Sequence, residues 1–354
     1  PYSSLSAMAI DPQFIALGAL DDFVAIGGEG ALSAREQTTL ARLRGASHVR
    51  YPEVRALKLA WLARSWRRFV EDEIAAATAR ARAFARFREQ ESWWLDDYVL
   101  FRALRASHGE RSWTAWPLAL REREPAALAA ARRDLADDIG FRSYLQWVAQ
   151  EQWQSVRAQL GDVALFGDLP FTVGADSADV WSRREEFRLD VSVGVPPDAF
   201  SETGQDWGLP AYRWDVCTAA GFPWLRARAA RNAALYHGFR VDHLVGFYRT
   251  YYRTTPGTPG SFTPEFEHDQ TALGERVLEV FRSAGAFVIA EDLGTVPDFV
   301  RASLARMGVP GYKVFRWERE WHTAGQPFVD PARYPAVSVA TSGTHDTEPA
   351  AVWW

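Results

Sequence analysis

Cysteine is almost absent from this 354-residue chain. Its single representative, Cys217, allows no intrachain disulfide and no cysteine-based zinc cluster, which fits a reducing compartment and makes the cytoplasm the expected location. Positive charge is not in excess either. With 40 basic and 45 acidic residues interspersed, a formal charge of −5 and a pI near 5.9, the chain has no basic stripe of the kind a polyanion needs, so no nucleic-acid partner is expected. No window approaches the ~20 consecutive apolar residues that span a bilayer, and no basic-then-apolar signal segment opens the chain, so no membrane partner is expected. There is no HExxH, no calcium-loop spacing and no GxSxG. A metal site is therefore unsupported, a serine or cysteine nucleophile still less supported, and no cofactor is implied.

Apolar and aromatic residues are plentiful. At 47% apolar content the chain can bury a large core, as one big domain or two ordinary ones. Its 16 Trp, 11 Tyr and 21 Phe are first of all core material, although flat rings also stack on the apolar faces of sugars in clefts. Across residues 33–160 apolar positions recur at spacings of three and four within Ala-, Arg- and Glu-rich runs. That pattern predicts a subdomain of packed amphipathic helices, interrupted near Pro117 and Pro125.

From about residue 163 the texture changes to short apolar runs that end in polar or acidic residues: VALFGD (163–168), GFRVDH (238–243), AFVIAED (286–292), GYKVFRW (311–317) and AVSVATSGTHD (336–346). Alternation with helical stretches predicts parallel strands joined by right-handed crossovers, buried on both faces. A doubly wound open sheet and a closed barrel both satisfy the pattern, but Asp or Glu at the C-terminal strand ends is where a barrel builds its active site. Two longer stretches, 190–215 and 251–270, carry so much Pro, Gly and Asp that they read as irregular loops. The first, with Phe200, Trp207, Tyr212 and Trp214, reads as lining a cleft, and the second could equally be a flexible lid.

Asp242, Glu291 and Asp346 each follow an apolar run, and closing the strands into a barrel would bring all three to one rim. Cleaving a glycosidic bond needs a proton donor for the leaving oxygen and a second carboxylate, either as nucleophile or to activate water. Arg240 shares a strand face with Asp242 and would hold it ionised. Glu291, behind AFVIA and beside Asp292, is the better candidate for a raised pKa. Any one of these acids could simply cap a helix or pair with an Arg. The three together, two of them beside His243 and His345, favour a catalytic cluster.

The chain also resembles a known family. PYSSLSAMA (1–9), WWLDDYVLFRAL (93–104), GDLPFTVGADSADVW (167–181), GVPPDAFSETGQDWGLPAYRWD (194–215), FRVDHLVGF (239–247), IAEDLGTVPDFV (289–300), GVPGYKVFRW (308–317) and SGTHDTEPAAVWW (342–354) are similar, in order, to the 4-alpha-glucanotransferases, or amylomaltases, of the alpha-amylase clan. The resemblance implies a (β/α)8 TIM barrel with helical insertions. It also implies a retaining transfer of alpha-1,4-glucan segments between malto-oligosaccharides, so the expected partners are alpha-glucans derived from starch or glycogen. By motif, Asp242 resembles the nucleophile, Glu291 the acid/base and Asp346 the transition-state stabiliser. Arg240, His345, Tyr2, Asp168, Asp198, Gln205, Trp207, Asp292 and Trp317 resemble substrate-site positions, Trp317 as an aromatic platform. Ala199 stands where some members carry an aromatic, and Thr347–Pro349 where an Asn is common.

On that mapping the five runs are strands three to seven of a barrel incomplete at both ends, and residues 1–354 are one catalytic domain carrying the helical insertion 33–160 and the substrate loop 190–215. A retaining alpha-glucan hydrolase and a catalytically inactive glucan-binding fragment remain as alternatives.

Overall fold

Between residues 34 and 159 the chain is almost wholly helical in the computed structural model, which describes residues 4–197, 202–254 and 258–354. The boundaries follow local chemistry. Ser33 closes a capping box with Glu36 ahead of the helix Ala34–Arg44, Thr78 caps Ala79–Gln90, and Pro125 occupies the first turn of Pro125–Asp134. Leu5–Gly161 and Asp176–Ser182 form one compact unit. Its core is aromatic, with Trp66, Phe69, Phe84, Tyr144 and Trp147 interlocked at ring-centroid distances of 5.2–6.1 Å. Asp22 is buried there beside Arg68, Arg80 and Tyr144. Burial works to raise its pKa, but hydrogen bonds from the two arginines and the tyrosine outweigh this and hold the carboxyl below its ordinary range.

A second unit, Asp162–Ala175 with Arg183–Trp354, carries the strands: β1 (Phe166–Leu169), β2 (Phe187–Val195), β3 (Gln205–Tyr212), β4 (Gly238–Val241), β5 (Thr250–Arg253), β6 (Ser261–Thr263), β7 (Phe287–Ala290), β8 (Gly311–Val314) and β9 (Ser338–Thr341). The five apolar runs become β1, β4, β7, β8 and β9. They pair in parallel as two ladders, β1-β4-β7 and β8-β9. Between the ladders, Ala290 N donates to Pro310 O at 2.9 Å, which sets the end of β7 against the entry to β8. The helices Pro223–Leu235, Glu267–Arg282 and Asp298–Met307 supply the crossovers. β8 and β9, in contrast, are joined without an α-helix, where the repeating βα rhythm predicts one. Phe239 and Val241 of β4 are fully buried, Phe239 edge-on to Phe281 at 6.2 Å, while Arg240 between them faces the opposite side.

Of the two stretches expected to be irregular, 190–215 is largely strand, and 251–270 contributes the end of β5 and the short β6. β3, β2, β5 and β6 form a four-stranded antiparallel sheet in that order. Glycine makes the pairing possible: a Cβ on Gly194 would collide with the Gln205 carbonyl oxygen, so only glycine lets the two backbones close there. Register shifts between Arg188 and Gly194 absorb the remaining mismatch. Tyr212 and Trp214, expected in a cleft wall, are instead core residues, 1% and 6% exposed and packed on each other at 4.8 Å.

Candidate active site

Parallel register sets the site. Arg240 pairs with Asp168 across β1 and β4, and Val241 with Ala290 across β4 and β7. One residue further, Asp242 N donates to Leu169 O at 2.9 Å and Glu291 N to Val241 O at 3.0 Å, so both acids leave adjacent strands side by side. The chain then turns sharply at His243, whose φ of 45° is unusual for a residue with a side chain.

Arg240 couples two acids. Its guanidinium donates to both Asp168 oxygens at 3.0 and 2.8 Å, and the same Nη2 lies 2.8 Å from Asp242 Oδ1. Burial opposes the charge on Arg240, but the hydrogen bonds to Asp168 and the charges of Asp242 and Asp168 keep it firmly cationic. Glu291 lies in a drier setting. Its Oε2 accepts from His243 N at 2.9 Å and its Oε1 from Leu293 N at 2.8 Å. Desolvation, reinforced by the charge of Asp242, pushes its pKa up to about 7. The like-charged neighbour that matters is therefore Asp242, where the sequence suggests Asp292.

Two cavities meet at this pair. One, of about 390 Å³, is lined by Phe171, Thr172, Gln205, Trp207, Leu209, His243 and both acids. Trp207 stands edge-on to His243 at 4.8 Å and donates from Nε1 to Gln205 Oε1 at 3.1 Å. Burial among these rings lowers the His243 pKa to about 4, so the imidazole stays neutral around pH 7. The other cavity, of about 780 Å³, holds Arg240, Asp242, Glu291, Asp292, Trp317, Trp321, Tyr312 and Asp346. Asp346 follows β9, and its segment is fastened by the buried Arg316, which donates from Nε to Ser342 O at 3.2 Å and from its Nη atoms to Glu348 at 2.9 Å.

A family model described as 4-alpha-glucanotransferase, of glycoside hydrolase family 77, matches residues 1–354. The chain belongs to the 4-alpha-glucanotransferase family. The 4-alpha-glucanotransferase of Thermus thermophilus is 37% identical over 368 aligned residues, covering 100% of this chain and 69% of that protein. The one from Chlamydia caviae is 31% identical over 357, covering 100% and 65%. A solved amylomaltase from Streptococcus agalactiae, in complex with acarbose, superposes with a TM-score of 0.81 at 28% identity, over 98% of this chain and 69% of that one. The amylomaltase of Corynebacterium glutamicum shares the fold, with a TM-score of 0.78 at 23% identity over 99% and 47%. The chain thus spans about two thirds of the length of the curated relatives it matches.

Of the positions expected in a 4-alpha-glucanotransferase site, Asp242, Glu291, Asp346, Arg240, Asp292 and Trp317 line the larger cavity, and Gln205 and Trp207 the smaller. Asp168 reaches the site through Arg240. His345 is exposed beside Asp346, with Nε2 3.3 Å from its carboxylate. Asp292 is buried, and its Oδ1 accepts from Tyr312 N at 2.7 Å, so one oxygen already serves the fold. A Cβ on Gly311 would meet this carboxylate at 2.6 Å, which explains the glycine. Tyr2 and Asp198 lie outside the described residues, as do Ala199 and Phe200. Sequence reasoning missed Phe171, Leu209, Tyr312 and Trp321. The first two carry no polar signal, whereas Trp321 ends the charged run RWEREW, where a large ring stands out.

Proposed function

We propose that this chain forms the catalytic centre of a retaining 4-alpha-glucanotransferase. Asp242 is the nucleophile, Glu291 the acid/base and Asp346 the carboxylate that stabilises the transition state. The observation that carries this is an arginine-paired aspartate in strand register with a glutamate of pKa about 7, where two cavities meet. Protonated Glu291 donates to the leaving glycosidic oxygen while Asp242 attacks the anomeric carbon, giving a covalent glycosyl-aspartate. The first product departs from one cavity. An acceptor's 4-hydroxyl takes its place, loses its proton to Glu291 carboxylate and displaces Asp242, which retains the anomeric configuration. Arg240, 2.8 Å from Asp242 Oδ1, stands against the carboxylate that attacks and that is released again in the second step, and it remains tied to Asp168.

The substrates on this reading are malto-oligosaccharides and starch- or glycogen-derived glucans, bound on aromatic plates such as Trp207 and Trp317. The five parallel strands are read as consecutive staves of a (β/α)8 barrel. A single, buried cysteine supports a cytoplasmic setting. Incubation with maltotriose tests the activity. A ladder of longer glucans with free glucose supports transfer. A rise in reducing ends alone supports hydrolysis, and no change supports a binding-only role.

A further inference from the structure

A second indole stands on the wall of the larger cavity. Trp321 follows Trp317 by four residues, is 55% exposed, and lines the same cavity as Asp242, Glu291 and Asp346. The segment that presents it is ordered by its own bonds. Past β8 the chain folds back on itself, with Glu320 N donating to Pro327 O and Val329 N to Glu318 O, both at 2.9 Å, and Arg319 bridged to Phe328. The Arg319 guanidinium lies 3.9 Å over the Phe328 ring, and Phe328 stacks on Phe315 at 4.5 Å. Glu320, next to the indole, is held by Arg333 at 2.5 Å. The arm turns through Gly325 and Gln326, both at positive φ.

Leaving an indole in water forfeits favourable burial, and neither Trp317 nor Trp321 has a ring partner among the described residues. The same wall offers Arg301, Lys313 and Glu318. Apolar plates rimmed by hydrogen-bonding groups suit a pyranose, which has an apolar face and a rim of hydroxyls. The acids lining the cavity oppose a polyanion.

We infer that Trp321 is an outer platform that stacks a glucose ring of a long malto-oligosaccharide, beyond the rings that span Asp242 and Glu291. This rests on the glucan reading of the site. The test measures binding of maltotriose and maltoheptaose to protein carrying Glu291→Gln, so that neither sugar is consumed, with and without Trp321→Ala or Trp321→Phe. Trp321→Ala is expected to weaken maltoheptaose about tenfold and maltotriose by less than about twofold, with Trp321→Phe close to the parent. Equal loss on both lengths, or loss on neither, overturns the platform alone. If the parent binds neither sugar, the glucan reading falls and the platform with it.

Discussion

Asp242 and Glu291 extend, one residue beyond the ladder, the register that pairs Val241 with Ala290 across β4 and β7. Glu291 N bonded to Val241 O and Asp242 N to Leu169 O hold both acids through the backbone, so their proximity does not depend on side-chain packing alone. One acid lies against an arginine and the other accepts two backbone N–H groups in a desolvated corner. That contrast separates a nucleophile from a proton donor.

Asp242→Asn keeps the shape and removes the attacking charge. Transfer from maltotriose should fall at least about 10³-fold while the urea midpoint stays within error. Intact transfer would remove Asp242 from the mechanism.

Arg240→Lys keeps a cation but not the planar fork that reaches both Asp168 oxygens and Asp242. The expected result is a drop in kcat of about 10- to 100-fold, with Lys no better than Met. Steady-state kinetics on maltotriose with both variants checks this.

Glu291 must enter the first step protonated. With its pKa near 7, kcat/KM should fall about tenfold per pH unit on the alkaline side of that value. The same shift gives a signed stability effect. The folded state keeps a proton that the unfolded chain releases near 4.5, so the contribution is full below 4.5 and is lost as pH rises through about 7. Urea midpoints of Glu291→Gln and the parent should therefore agree near pH 4 and separate in favour of Gln above pH 7.

Asp292 ties the end of β7 to β8 through Tyr312 N and stands 3.7 Å from the Arg301 guanidinium. Asp292→Ala leaves that buried N–H without its acceptor and should cost about 1–3 kcal/mol in urea unfolding. An unchanged midpoint with a raised KM would assign the residue to sugar binding alone.

The strand segments were legible because each is a short apolar run beside which a charge stands out, although the expected burial on both faces holds only for β4, while β1, β7, β8 and β9 are partly exposed. Arg240 and Asp242 on one face of β4, with Phe239 and Val241 on the other, follow from the period of two along a strand. The hairpin of β2 and β3 was not legible. Its Gly194, Gly208 and Pro210 read as loop punctuation, and only the partner backbone at Gln205 makes Gly194 a requirement of the sheet. Trp207 and Trp214 look alike in the sequence, yet one lines a cleft and the other is core.

The sequence by itself determined the parallel strands and the acids at their ends, since both rest on local periodicity and residue chemistry. Only the tertiary structure decided which acid perturbs which. Asp292 is adjacent to Glu291 along the chain, but Asp242, 49 residues away, is the one whose charge raises its pKa. Electrostatic coupling depends on distance through space, and on adjacent parallel strands that distance is set by register.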